Sequence, residues 1–186
     1  SSSYGRNEYE VWTDILQVIY LAADGVVPVF GELITGPRTN EVHYPGGPRN
    51  RVICRGDTGI LDISARVDGY WTDSCNTVVF GQEPSVDQKK YMRAAKECFE
   101  TAIAAIRPGI RCSELSAGIQ GVQARHGVAL TTYFGHQVGV TVNEHPKLIP
   151  SDTTLIEAGM VFCIEPGAYA GATGTTGARC EKTVLV

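Results

Sequence analysis

Five side chains with the chemistry of hard metal ligands are spread along the chain: Asp62, Asp73, His136, Glu165 and Glu181. Each sits in or beside an apolar run, where an unpaired charge is strongly unfavourable. Asp62 and Asp73 are eleven residues apart in L-D-I-S-A-R-V-D-G-Y-W-T-D, on either side of Asp68-Gly69. Asp-Gly between two half-apolar runs is a hairpin signal, which makes Asp68 a turn former rather than a ligand. Folding there is expected to set Asp62 and Asp73 nearly opposite each other on neighbouring strands, roughly 5 Å apart. Carboxylates that close repel unless they share a proton or bind a cation. The cation is the better reading, the alternative being an ordinary hairpin with solvent-facing acids. The other three residues favour the cation.

Glu165 ends the run Met160-Val161-Phe162-Cys163-Ile164 and is followed by Pro166-Gly167. Glu181 lies between Cys180 and the strand-like Thr183-Val184-Leu185-Val186. His136 stands in Y-F-G-H-Q-V-G-V, among glycines that admit close backbone approach. Four carboxylates and one imidazole suit Mn²⁺, Co²⁺, Fe²⁺ or Zn²⁺ better than a soft thiolate site would. With shared carboxylates the set carries enough charge for two such ions.

The order of these motifs resembles the pita-bread metallopeptidases: Xaa-Pro aminopeptidase, prolidase, methionine aminopeptidase and the creatinase-like catalytic domains. The strings that carry the likeness are the Asp62–Asp73 segment, G-H-Q-V-G-V-T-V-N-E-H-P, G-M-V-F-C-I-E-P-G-A-Y and G-A-R-C-E-K-T-V-L-V. E-P-G-A-Y and Arg179-Cys180-Glu181 lean toward the Xaa-Pro aminopeptidase and prolidase branch. The resemblance implies an α+β fold with pseudo-two-fold halves. It also implies a dinuclear centre in which Asp73 and Glu181 bridge two divalent ions, most readily Mn²⁺. Asp62 would complete one ion, and His136 with Glu165 the other.

The activity so implied is removal of the N-terminal residue from small peptides by a metal-bridging hydroxide. Glu165 would serve as ligand and general base, and Arg179 would hydrogen-bond a ligating carboxylate. Two further histidines of the family orient substrate, and His43 in N-E-V-H-Y-P matches the first. The second falls on Asn143, with His145 two residues later. On a strand that shift keeps the face but moves the side chain about 7 Å, so His145 could substitute only across a bulge. Another departure is Cys75-Asn76-Thr77, where relatives often carry Thr-Arg-Thr. Two alternatives share the fold: a creatinase-like hydrolase of a non-peptide C–N bond, and a non-catalytic scaffold.

A chain of 186 residues, 43% hydrophobic and 19% charged, has the composition of one globular domain rather than of a disordered segment. A net charge of −4 without basic runs argues against nucleic acid and anionic membrane as partners. No apolar stretch is of membrane-spanning length and no secretory signal opens the chain. Six cysteines without a C-x-x-C pair, several in apolar runs (Cys54, Cys98, Cys163), read as free buried thiols of a cytoplasmic protein.

Around these residues the patterning predicts a helix over 8–23, with Val11, Ile15, Val18, Ile19 and Ala22 on one side. Strands are expected over 26–34, 59–67 and 70–80, and a helix over 87–106. A further helix capped by Ser113 should run to about Arg125, where His126 would stabilise the helix end. The segment from Gly109 to Val128 loosely repeats that from Gly5 to Val26, yet only the later copy has a long helix before it. The expectation is a single domain, 1–186, lacking its first helix and incomplete at both ends, with a missing segment or a homodimer partner over an exposed apolar face.

Overall fold

The computed structural model describes residues 3–41 and 46–186, so His43 lies outside the described residues. Helix α1 (Glu8–Ala22) opens with a capping box, in which Asn7 accepts from the Tyr9 amide and Glu10 from the Asn7 amide. Its first turns bury Val11 against Leu33 and Ile53. Farther along, Val18 and Leu21 stay 66% and 75% exposed, so only the start of the expected apolar stripe meets the sheet.

That sheet combines β1 (Val29–Thr35), β2 (Thr58–Val67), β3 (Tyr70–Trp71) and β4 (Ser74–Val79), all antiparallel. Asp68 and Gly69 form the two-residue turn, both with positive φ. Because the turn pairs Val67 with Tyr70, Asp62 must face Cys75 farther along the ladder. Asp62 and Asp73 are therefore offset by two residues on one face rather than opposite, which corrects the sequence expectation. The strand expected over 70–80 also breaks at Thr72-Asp73. There the Thr72 hydroxyl, 3.3 Å from the Ala65 amide, takes the place of a main-chain acceptor.

The second half supplies α2 (Val86–Ala105) and α3 (Cys112–His126), packed on the sheet β10-β7-β5-β6. Its strands are β5 (Gly135–Gln137), β6 (Glu144–Lys147), β7 (Val161–Ile164) and β10 (Lys182–Leu185), while β8 (Gly167–Tyr169) and β9 (Gly177–Arg179) form a separate pair. Cys98, Leu115, Ile119, Phe134 and Phe162 fill the core between helices and sheet. Ser113 is not the cap of α3. Arg111, held extended by its bridge to Leu155, takes that place, and Glu114 accepts from its amide at 3.0 Å. His126 at the other end contacts Glu97 of α2 at 2.6 Å, tying the two helices together.

All six cysteines are free, and Cys75, Cys98, Cys112 and Cys163 are buried. Cys54 is exposed, contrary to expectation, because it opens the turn at Arg55-Gly56 instead of lying in a strand. Among the described residues no helix is long and apolar enough to cross a membrane.

Candidate metal centre

The two sheets meet along β4, and the five candidate ligands gather at that seam. Asp62 projects from β2, and Asp73 sits in the break before β4. His136 lies on β5, Glu165 directly follows β7, and Glu181 falls between β9 and β10. The Glu181 amide donates to the Cys75 carbonyl at 3.2 Å, and the Thr183 hydroxyl to the Asp73 carbonyl at 2.9 Å. These bonds hold the last stretch of chain against the first sheet.

One ligand atom from each of Asp73, His136, Cys163 and Glu181 lies within 4.8 Å of the others, and the same holds for Asp62, Cys75 and Glu181. Glu181 is common to both groups. His136 Nε2 is 3.3 Å from Glu165 Oε1 and 3.6 Å from Asp73 Oδ2. His136 Nδ1 lies 2.8 Å from the Gln137 carbonyl, a contact that puts the proton on Nδ1 and turns the Nε2 lone pair toward the carboxylates.

The electrostatics are those of several acids buried together. Burial, reinforced by Glu165, Asp62 and Asp73, pushes the Glu181 carboxyl up to about 11. Both Glu181 oxygens are buried with no hydrogen-bond partner among the described residues. Burial raises Asp62 to about 7 against the pull of Arg179, and it raises Asp73 despite the Ser64 hydroxyl donating at 2.8 Å. His136 is raised as well: its burial opposes the charged ring, but Glu165, the Gln137 carbonyl and Asp73 together outweigh that. Desolvation also holds the Cys75 and Cys163 thiols well up, so they flank the cluster as neutral groups. Neither thiol was anticipated there from sequence.

Buried carboxylates cost several kcal/mol unless paired or coordinated. A donor set of one imidazole and four carboxylates, one of which (Glu181) is unsatisfied at its middle, fits divalent cations. The orienting residues follow the same economy. Arg179 Nη1 donates to Asp62 Oδ2 at 2.5 Å and to Glu32 Oε2 at 3.1 Å, while its Nε donates to the Tyr169 hydroxyl at 3.1 Å. Thr77 clamps the Arg179 backbone through two bonds of 2.8 and 2.9 Å. Sequence reasoning missed Glu32 and Tyr169. The signal for Glu32 was present, since an acid interrupts the run V-F-G-E-L-I-T.

The centre opens into a cavity of about 840 Å³, lined by Asp62, Asp73, His136 and Glu165 and, toward its mouth, by Tyr133 and Asn143. Asn143 Nδ2 donates to the Tyr133 hydroxyl at 2.6 Å. His145 is exposed and lies outside that cavity. The β5–β6 pairing does shift register between His136 and Gln137, yet it is Asn143 that this shift leaves at the wall. The wall itself is bolted down by Gln123 of α3, fully buried, whose amide bonds Thr131 from both sides (2.9 and 3.0 Å) and the Gly167 carbonyl at 2.7 Å.

Comparison with known proteins matches residues 3–186 to metallopeptidase family M24. The probable dipeptidase PepE of Mycobacterium tuberculosis is 34% identical over 98% of this chain and 48% of its own length. A Xaa-Pro dipeptidase of Pyrococcus horikoshii is 34% identical over 86% of this chain and 45% of its own. The recombinant prolidase of Thermococcus sibiricus superposes with a TM-score of 0.90 at 32% identity, covering all of this chain and 50% of that one. The chain thus spans about half the length of the curated relatives it matches. With its whole described length accounted for by that family model and that fold, the chain belongs to metallopeptidase family M24 and has the pita-bread architecture.

Proposed function

We propose that this chain carries the catalytic centre of a dinuclear metal-dependent peptidase of the Xaa-Pro aminopeptidase and prolidase type, acting on the N-terminal bond of small peptides. The observation that carries the reading is Glu181: a buried carboxylate with both oxygens unpartnered among the described residues, within 4.8 Å of two separate donor groups. Asp73 and Glu181 would be shared between two ions, with Asp62 on one and His136 and Glu165 on the other. The donor set suits Mn²⁺ best, with Co²⁺, Zn²⁺ and Fe²⁺ compatible.

When bound, such an ion pair supplies the positive charge that makes a water nucleophilic near neutral pH and offsets charge on the attacked carbonyl oxygen. The protein's own groups do the rest. Ser64 and Arg179 fix the carboxylates of Asp73 and Asp62, and the Gln137 carbonyl fixes the His136 ring. Glu165, less buried than its neighbours and open to the cavity, takes the proton of the attacking water and returns it to the departing amine.

Relatives named as dipeptidase and Xaa-Pro dipeptidase support a peptide substrate over the creatinase-like alternative. Presence of every candidate ligand argues against a scaffold that has lost its chemistry. Free buried thiols support a reducing compartment such as the cytoplasm. The exposed Val18 and Leu21 of α1 support the expectation of a covering segment or a second copy.

Elemental analysis after Mn²⁺ loading and desalting, beside an assay on Xaa-Pro peptides, tests the reading. Close to two ions per chain, collapsing in Asp73→Asn together with turnover, is the expected result. Protein that retains no metal would overturn it.

A further inference from the structure

We propose that Tyr133 is the hydrogen-bond donor to the carbonyl oxygen of the peptide bond bound in this cavity, with Asn143 as the residue that positions it. The inference rests on the peptidase reading above and adds a residue to it.

Tyr133 stands one residue before the buried Phe134, whose amide donates to the Leu148 carbonyl and whose carbonyl accepts from the Glu165 amide at 2.9 Å. Its backbone is thus fixed to the strand that presents Glu165. Its ring is tilted against His136, with centroids 6.2 Å apart, and Lys147 Nζ lies 5.9 Å from the Tyr133 ring centroid. The hydroxyl is placed by Asn143, which reaches it at 2.6 Å from the segment before β6.

The direction of that bond matters. A phenol that accepts from an amide N–H keeps its own proton for another acceptor. Among the described residues nothing accepts it, and both side chains line the cavity. The cavity's other charged groups are poor partners for a carbonyl oxygen. Glu32, Glu41, Asp62, Asp73 and Glu165 are acceptors, and Arg179 gives Nη1 to Glu32 and Asp62 and Nε to Tyr169. Tyr133 supplies a neutral donor on that wall, and a donor of this kind is most effective when it is preorganised where negative charge develops.

The test compares Mn²⁺-loaded wild type with Tyr133→Phe and Asn143→Asp, measuring metal content, kcat and KM on an Xaa-Pro peptide, and calorimetric affinity for a phosphinic peptide that mimics the tetrahedral state. Asn143→Asp replaces the amide donor with a carboxylate that accepts the phenol's proton. Both variants should keep their metal, lose kcat on the order of 10²-fold with little change in KM, and bind the phosphinate correspondingly weakly. The double variant should lose no more than either single one. Turnover unchanged in Tyr133→Phe, or loss of metal from it, would overturn the assignment while leaving the peptidase reading in place. Wild-type protein that neither cleaves peptide nor binds the phosphinate would overturn both together.

Discussion

Glu32 and Asp62 face each other directly across the β1–β2 ladder and share one guanidinium nitrogen of Arg179, at 3.1 and 2.5 Å. Two buried acids at a cross-strand pair are tolerable only with that counter-charge between them. Arg179→Met should therefore destabilise the fold by about 3–5 kcal/mol, the usual penalty for stranding a buried ionic partner. Arg179→Lys should recover only part of it, because an ammonium keeps a charge for the two carboxylates but loses the separate Nε bond to Tyr169. Chemical denaturation of the metal-free proteins measures both, and a Met variant as stable as wild type would refute the pairing argument.

The metal-free protein should lose stability as pH rises. Asp62 and Glu181 hold protons in the folded state up to about 7 and about 11, whereas free carboxyls release them near pH 4. Folded protein thus binds more protons than unfolded chain above that point, so stability falls with pH. The contribution is fully present below about pH 4 and fades through pH 7 for Asp62, and later for Glu181. Divalent ions must displace those protons, so loading at pH 7 should release at least one proton per chain. Calorimetry in buffers of different ionisation enthalpy reads this directly. Heat independent of buffer would count against it.

Much of this centre could be read from the chain because each acid interrupts an apolar run, a placement that is costly without a cation. The offset of Asp62 and Asp73 was equally legible in principle. A two-residue turn at Asp68-Gly69 fixes which residues pair, and counting outward puts Cys75 beside Asp62. Glu32, Tyr169 and Gln123 were hidden for a different reason. Their roles depend on which strands and helices become neighbours across long sequence separations, as between Glu32 and Arg179. Ser113 resembles a helix cap by type, but a tertiary bridge from Arg111 to Leu155 starts the helix earlier.

Gly135, beside His136, has φ of +145°, and a Cβ there would lie 2.0 Å from the Cys163 carbonyl oxygen. Gly135→Ala must push β5 away from β7, and His136 moves with it. The expected result is a loss of about 1–3 kcal/mol from strain and overpacking and weaker Mn²⁺ binding, both visible in thermal melts with and without metal. Equal metal-induced stabilisation in variant and wild type would speak against displacement of the imidazole.

Gln123 is the anchor of the Ala129–Tyr133 wall. Gln123→Leu keeps the volume but leaves the Thr131 amide and the Gly167 carbonyl short of partners. A loss of about 1–3 kcal/mol is expected. Because the wall loosens while the metal ligands stay, KM should rise with metal content unchanged. A variant with wild-type KM would show that the wall holds its shape by other contacts.

The seam along β4 has a consequence for how the protein moves. Asp62 and Asp73 belong to one sheet and His136 to the other, while Glu165 trails β7 and Glu181 stands at the joint between them. Neither half carries the whole donor set alone. On the dinuclear reading proposed above, the centre would act as a clasp: a hinge between the halves would open both ion positions at once, and occupancy of either would resist that hinge. Metal affinity would then report on how the two sheets pack as much as on the chemistry of five side chains.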